Sequence, residues 1–235
     1  IGLGEGDLQC GRQMPGRHED RNRLICAGES PTQLHNNCSG KHTGFLTLGA
    51  HLGAGADYLD AAHPVQLAVR EAFEESCSEP SPGYGIDGCS APNFATRLSG
   101  LARAMAGFAV ADGRPGARNA ARRELVAAMA AHPRLIAGEG RCCTVLTTAA
   151  KGRAVVKTGA EGVYVAILPE LELGVALKIA DGATRAAECA IATLLVRLGV
   201  LEADDPAALA YSDVTLKSRR GLDAGRMQPA EALRG

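Results

Sequence analysis

Apolar positions recur along this chain with two periods, and the switch between them organises it. Phe94, Leu98, Leu101, Met105 and Phe108 follow one another at steps of four and three, which marks one face of an α-helix. Pro92 and Asn93 precede that face as a start signal. Further helices are predicted over residues 41–52, with Phe45, Leu48 and Leu52 inward, and from Pro64 in a first turn through Val65 to Glu75. Another is predicted over residues 118–131, with Leu125, Val126 and Met129 inward and Pro133 as its end. Residues 1–30 have weak periodicity and read as loop with one helix. Residues 76–88, rich in Ser, Pro and Gly, read as loop.

After Pro133 the period becomes strand-like. Short apolar runs occupy residues 153–157, 163–168 and 175–179, separated by Gly159, Gly162, Pro169 and Gly174. Connections this short favour an antiparallel meander, because parallel strands need long crossovers. Asp181 and Gly182 introduce a helix over residues 183–198, and the tail holds one possible strand over residues 213–216. The fold class expected is α+β in α/β/α layers: a central antiparallel sheet flanked by helices, in a single domain over residues 1–235.

Composition narrows the function classes. With 235 residues and 46% hydrophobic positions, the chain can bury a sizeable core. A formal net charge of -1 gives no general attraction to nucleic acid or an anionic membrane. No apolar run approaches the roughly 18 to 20 residues that span a bilayer. Eight cysteines are present without a C-x-x-C pair, which fits reduced thiols and a cytoplasmic location better than a disulfide framework. The chain opens on Ile1 without Met or a secretory pattern, and is read as lacking its true N-terminus.

Three constellations could carry chemistry. In His35-Asn36-Asn37-Cys38-Ser39-Gly40-Lys41-His42, Cys38 and Lys41 stand three apart at a helix start and so share a face. A helix N-terminus favours thiolate and disfavours ammonium, as a metal ligand or reactive pair requires. The plainer alternative is a helix capped by Ser39 with Lys41 in solvent. Gly85-Ile86-Asp87-Gly88-Cys89-Ser90 reads either as a site loop or as a turn holding a buried thiol. Lys157-Thr158-Gly159, at a strand end, matches a tripeptide that penicillin-recognising serine enzymes carry beside their active site. Those enzymes also need Ser-x-x-Lys, and none of the nine serines here has Lys three positions later.

Taken together, residues 35–42, 85–93, 157–164 and 174–187 resemble the asparaginase II family, which includes the zinc-containing rhizobial L-asparaginases. The resemblance implies a serine β-lactamase-like fold and hydrolysis of L-asparagine to aspartate and ammonia, with a small-molecule substrate and a homodimer. It implies zinc held by Cys38, Lys41 and Cys89, with His42, Asp87 and Cys143 near the site and Lys157 as the catalytic base for a serine. The family's serines and second lysine belong to a segment upstream of Ile1, so this chain alone is expected to have little activity. The alternatives are a glutaminase, another hydrolase of the same fold, or a zinc-binding relative without catalysis.

Overall fold

The computed structural model describes residues 1–234, which form two compact units. The first comprises residues 1–75 and 79–96; the second comprises residues 76–78 and those from Arg97 onward.

In the first unit, α1 (His18–Ala27), α2 (Ser39–Leu52) and α3 (Pro64–Cys77) precede a hairpin of β1 (Tyr84–Ile86) and β2 (Pro92–Phe94). The last residues of α3 fall in the second unit. Helix α2 turns His42, Phe45 and Gly49 inward, a step of three and then four. These meet a core of Leu8, Cys10, Tyr58, Val65, Cys89 and Ala91. Gly49 lets Val65 pack against the helix backbone: a β-carbon there would stand 3.5 Å from the Val65 methyl. Phe45 faces inward as expected, but Leu52 is 45% exposed because the inner stripe has rotated past it. Gly53 closes α2 in the left-handed conformation at φ 61° and donates to Ala50 and Gly49.

The expected loop over residues 76–88 is loop at 78–83 and 87–88, with the end of α3 before it and β1 set within it. Phe94 and Pro92 belong to β2, not to the start of the next helix. Tyr84 pairs with Phe94 and Ile86 with Pro92, and Phe94 lies against the rings of Phe73 and Tyr84 at 6.3 and 6.0 Å. A residue before proline is biased toward extended backbone, so Ala91-Pro92 suits a strand entry. The four-residue step from Phe94 to Leu98 is coincidental.

The second unit opens with α4 (Leu98–Ala109), α5 (Ala117–Ala131), α6 (Pro133–Ala137) and α7 (Cys142–Ala150). Pro133 occupies the first turn of α6 as well as following α5, as its fixed φ allows. Leu125, expected inward, is exposed, while Val126 and Met129 pack on the core as expected. Helix α7 was missed. Its sequence, CCTVLTTAA, has six of nine positions buried and no polar stripe to betray its period.

A meander follows as expected: β3 (Val155–Thr158), β4 (Val163–Leu168) and β5 (Leu173–Lys178), antiparallel in the order β3-β4-β5. Then come α8 (Thr184–Arg197), α9 (Pro206–Ser212), a hairpin of β6 (Val214–Lys217) and β7 (Asp223–Met227), and α10 (Glu231–Arg234). Alternation along the meander makes the layers. Val156, Tyr164, Ala166 and Leu168 join Leu146 of α7 and Ile191 and Leu195 of α8 in one core. Val155 and Ile167, on the other face, meet Ala109, Met105 and Phe108 of α4 and Val126 and Met129 of α5. The second unit is therefore an α/β/α sandwich about an antiparallel sheet. Each large side chain buried there contributes about 1.5–3 kcal/mol.

Gly174 sets how closely α4 approaches this sheet. It pairs with Ile167 on the α4 face, and a β-carbon on it would lie 2.1 Å from the Ala106 nitrogen and 2.2 Å from the Ala102 oxygen. Backbone on both sides leaves no room to yield. Gly174→Ala should therefore lower unfolding stability by about 1–3 kcal/mol or more, read as a lower urea midpoint. An unchanged midpoint would mean that α4 can lift from β5 at no cost.

Candidate metal centre

The first turn of α2 and the hairpin loop between β1 and β2 meet within the first unit. Cys38 is the N-cap of α2, with φ -102° and ψ 7°, and Ser39 is already helical. Ser39 thus does not cap. Cys38 is fixed from below by Asn36, a buried residue whose Oδ1 accepts the Cys38 backbone N–H at 2.8 Å. The Asn36 amide donates to the Cys10 and Gly11 carbonyls at 2.7 and 3.2 Å. The loop opposite is tied by Asp87 N–H to Ala91 O at 2.9 Å and Ser90 N–H to Asp87 O at 2.8 Å, with Ser90 at φ 73°. This tight turn presents Asp87 and Cys89 on the same side.

Three ligand atoms converge there: the sulfurs of Cys38 and Cys89 and a carboxylate oxygen of Asp87 lie within 4.8 Å of one another. Lys41, 39% exposed, donates to Asp87 Oδ2 at 2.8 Å. The Cys89 thiol donates to the same oxygen at 3.3 Å. Burial alone would lower the Lys41 pKa, but Asp87 and the two thiols outweigh it and hold the ammonium above its ordinary value. The hydrogen bond from Lys41 holds the Asp87 carboxyl below the usual range. Burial pushes the Cys38 thiol up, against the pull of Lys41. As it stands, then, Lys41 is a cation clamped by Asp87, and it would have to shed a proton to serve as a ligand.

The sequence pointed to Cys38, Lys41, His42, Asp87 and Cys89, and the structure gathers all five in this unit. His42 lies beneath the cluster, fully buried. Its Nδ1 is 2.8 Å from the Tyr58 hydroxyl, which accepts the Gln9 backbone N–H at 2.7 Å. Its Nε2 has no partner among the described residues. Burial and the nearby Lys41 lower its pKa to about 4, so the ring is neutral at neutral pH. Cys10 was not singled out from sequence. It sits in the same core as Cys89, with its thiol 3.5 Å from the Gln33 carbonyl, and no spacing signal distinguished it.

Cys143 and Lys157 belong to the second unit. Cys143, buried in the first turn of α7, accepts the Thr158 backbone N–H at 3.2 Å and lies 3.0 Å from the Tyr164 hydroxyl. The thiol thereby anchors the strand end that carries Lys157. Burial raises the Tyr164 hydroxyl well above its ordinary pKa and pushes the neighbouring Cys142 thiol up to about 12, so both stay protonated. The Lys157 amine, half-buried, donates to the Thr158 carbonyl at 2.7 Å. Gly159 N–H bonds Val163 O at 2.8 Å to begin the turn into β4.

Two soft sulfurs and a hard oxygen beside an amine form a donor set of the kind that holds a divalent zinc-type ion. All eight cysteines are free thiols. No helix among the described residues is long and apolar enough to cross a membrane. The class defined so far is an α+β protein with a cysteine-rich candidate metal centre and a lysine at a strand end. The L-asparaginase II family profile matches residues 1–229, and the chain belongs to that family. A search of the curated proteins finds no match.

The Tyr58 hydroxyl is the post that links the stretch of chain at Gln9 to His42 on the floor of the cluster. Tyr58→Phe leaves the buried His42 Nδ1 and the Gln9 N–H unpaired. A loss of about 1–3 kcal/mol is expected in chemical denaturation. A change below about 0.5 kcal/mol, the ordinary scatter of surface substitutions, would mean that neither group depends on that bond.

Proposed function

We propose that this chain is the metal-binding and lysine-bearing part of an amidohydrolase that converts L-asparagine and water to L-aspartate and ammonia. Family membership over residues 1–229 carries the reading. The convergence of Cys38, Asp87 and Cys89 supports it.

In this reading Cys38, Cys89 and Lys41 hold zinc, and Asp87 steers the Lys41 amine into place. When bound, zinc supplies a Lewis acid that can fix and polarise an oxygen of the substrate. Lys157 is the base. A serine hydroxyl is a weak nucleophile until a neighbouring group takes its proton, and the amine at the end of β3 would do so. Attack on the amide carbon then expels ammonia, and water completes the exchange by releasing the carboxylate. Ser-x-x-Lys does not occur in these 235 residues, so the reading takes the hydroxyl from elsewhere in the natural polypeptide. The enzyme is taken to be cytoplasmic, consistent with its free thiols, and a homodimer, as the family resemblance implies.

A second reading of the ligand set is favoured by one observation: Lys41 is clamped as an ammonium while the Asp87 oxygen already lies among the sulfurs. Asp87 could then be the third ligand in place of Lys41. Zinc affinity of Lys41→Met and Asp87→Ala separates the two. Under the first reading Lys41→Met is the weaker binder, and under the second Asp87→Ala is. Cys38→Ser and Cys89→Ser should each lower zinc content below half that of the parent by elemental analysis. Full retention in both would remove the metal centre altogether.

Catalysis is tested by ammonia release from asparagine and from glutamine, comparing the 235-residue chain with one extended by its upstream coding sequence. The extended form should act on asparagine, and the shorter one should be far slower. Within the extended form, Lys157→Met keeps the length of the side chain and removes the amine. Turnover should fall by about two orders of magnitude or more, the cost of losing a general base, with zinc content unchanged. Near-normal turnover would exclude Lys157 as the base.

A further inference from the structure

The second unit contains a cavity that plays no part in this chemistry. It has a volume of about 520 Å³ and lies where the C-terminal half of α8, the end of α9, β7 and α10 meet. Among the described residues three guanidinium groups line it, those of Arg197, Arg226 and Arg234, with one carboxylate, Asp213. The acids within two residues of its lining, Glu202, Asp204, Asp205 and Glu231, do not line it.

Each guanidinium is exposed, makes at least one hydrogen bond and keeps donors unused among the described residues. Arg226 forks onto both oxygens of Asp213. Arg234 is fixed by Nε to the Pro229 carbonyl at 3.1 Å and by Nη2 to the Gln228 side-chain oxygen at 2.8 Å. Arg197 makes one bond, from Nη1 to the Ala232 carbonyl at 3.3 Å. An arginine has five N–H donors, so several remain free on each among the described residues. Among the described residues Asp213 pairs with one of the three cations, Arg226, which leaves Arg197 and Arg234 without a carboxylate partner. Gln228 directs its amide oxygen to Arg234, which frees its NH₂ as a further neutral donor. The hydroxyls of Thr193 and Ser212 donate to Cys189 and Ala208 carbonyls at 2.8 and 2.9 Å. The free donors of the cavity are therefore guanidinium and amide. Val196, Ala203 and Pro229 supply an apolar wall.

We propose that this cavity binds the phosphate group of a small organic phosphate, with Arg197 and Arg234 as its principal donors and the apolar wall against the organic body. Planar guanidinium forks match phosphate oxygens two at a time, and two uncompensated charges match a dianion. The space exceeds what an inorganic ion fills and is of ordinary size for a small-molecule pocket. The site is independent of the amidohydrolase reading, and neither stands or falls with the other.

The test is calorimetric titration of the 235-residue protein with phenyl phosphate, inorganic phosphate and succinate, each against sodium chloride at matched ionic strength. Phenyl phosphate should bind more tightly than either inorganic phosphate or succinate. Arg197→Gln should weaken it by about tenfold, the worth of one charged hydrogen-bonded group, and Arg197→Gln with Arg234→Gln should weaken it further. Because Arg234 also ties α10 to residues 228–229, the single Arg197→Gln variant keeps the test valid if the double variant misfolds. Heat that chloride reproduces at equal ionic strength, succinate binding as tightly as phenyl phosphate, or unchanged affinity in Arg197→Gln would each overturn the assignment.

Discussion

The candidate centre depends on one contact across 46 residues of sequence, the ion pair of Lys41 with Asp87. It fastens the first turn of α2 to the hairpin loop that follows β1. Core packing already brings Cys38 of α2 and Cys89 of the loop into one cluster, and the ion pair fixes the polar side of that junction. The pair is only half-buried, and exposed ion pairs contribute little stability by themselves. Its importance lies in position: the same Asp87 oxygen accepts from both Lys41 and Cys89, so one carboxylate sets the place of an amine and a thiol. Beneath it, the Tyr58 and Asn36 hydrogen bonds fix α2 from the core side.

This arrangement also exposes a tension in the ligand chemistry. A carboxylate that positions a lysine stabilises its charged form, whereas coordination needs the neutral amine. A bound cation would reverse the balance, since it repels the ammonium and attracts Asp87 and the thiolates. Protons would leave the site as metal enters. The buried His42 ring is neutral, the form in which an imidazole can bind a metal, but its Nδ1 is committed to Tyr58 and only Nε2 lacks a partner among the described residues.

Much of this was legible in the sequence, for physical reasons that differ by element. The meander from Val155 to Lys178 was readable because alternation and glycine turns mark strands locally. Helix α2 and the Cys38–Lys41 spacing were readable because three residues span one helical turn. Helix α7 was not, since a helix buried all round has no stripe. The start of α4 was misplaced because Phe94, an apolar residue of β2, fell in phase with its face. That Cys38 and Cys89 converge could be expected only through the family resemblance: no spacing rule reaches across a hairpin and two helices. The exposed strand β7, Asp-Ala-Gly-Arg-Met, carries no β-branched residue and was invisible for that reason.

In the proposed centre two cysteine sulfurs from distant parts of the chain, Cys38 and Cys89, hold one zinc ion. X-ray absorption at the zinc edge, on protein loaded with one equivalent, reads the ligand atoms directly. Two sulfur scatterers at about 2.3 Å are expected, together with nitrogen or oxygen scatterers near 2.0–2.2 Å. A spectrum with only nitrogen and oxygen neighbours, or with a single sulfur, would contradict it.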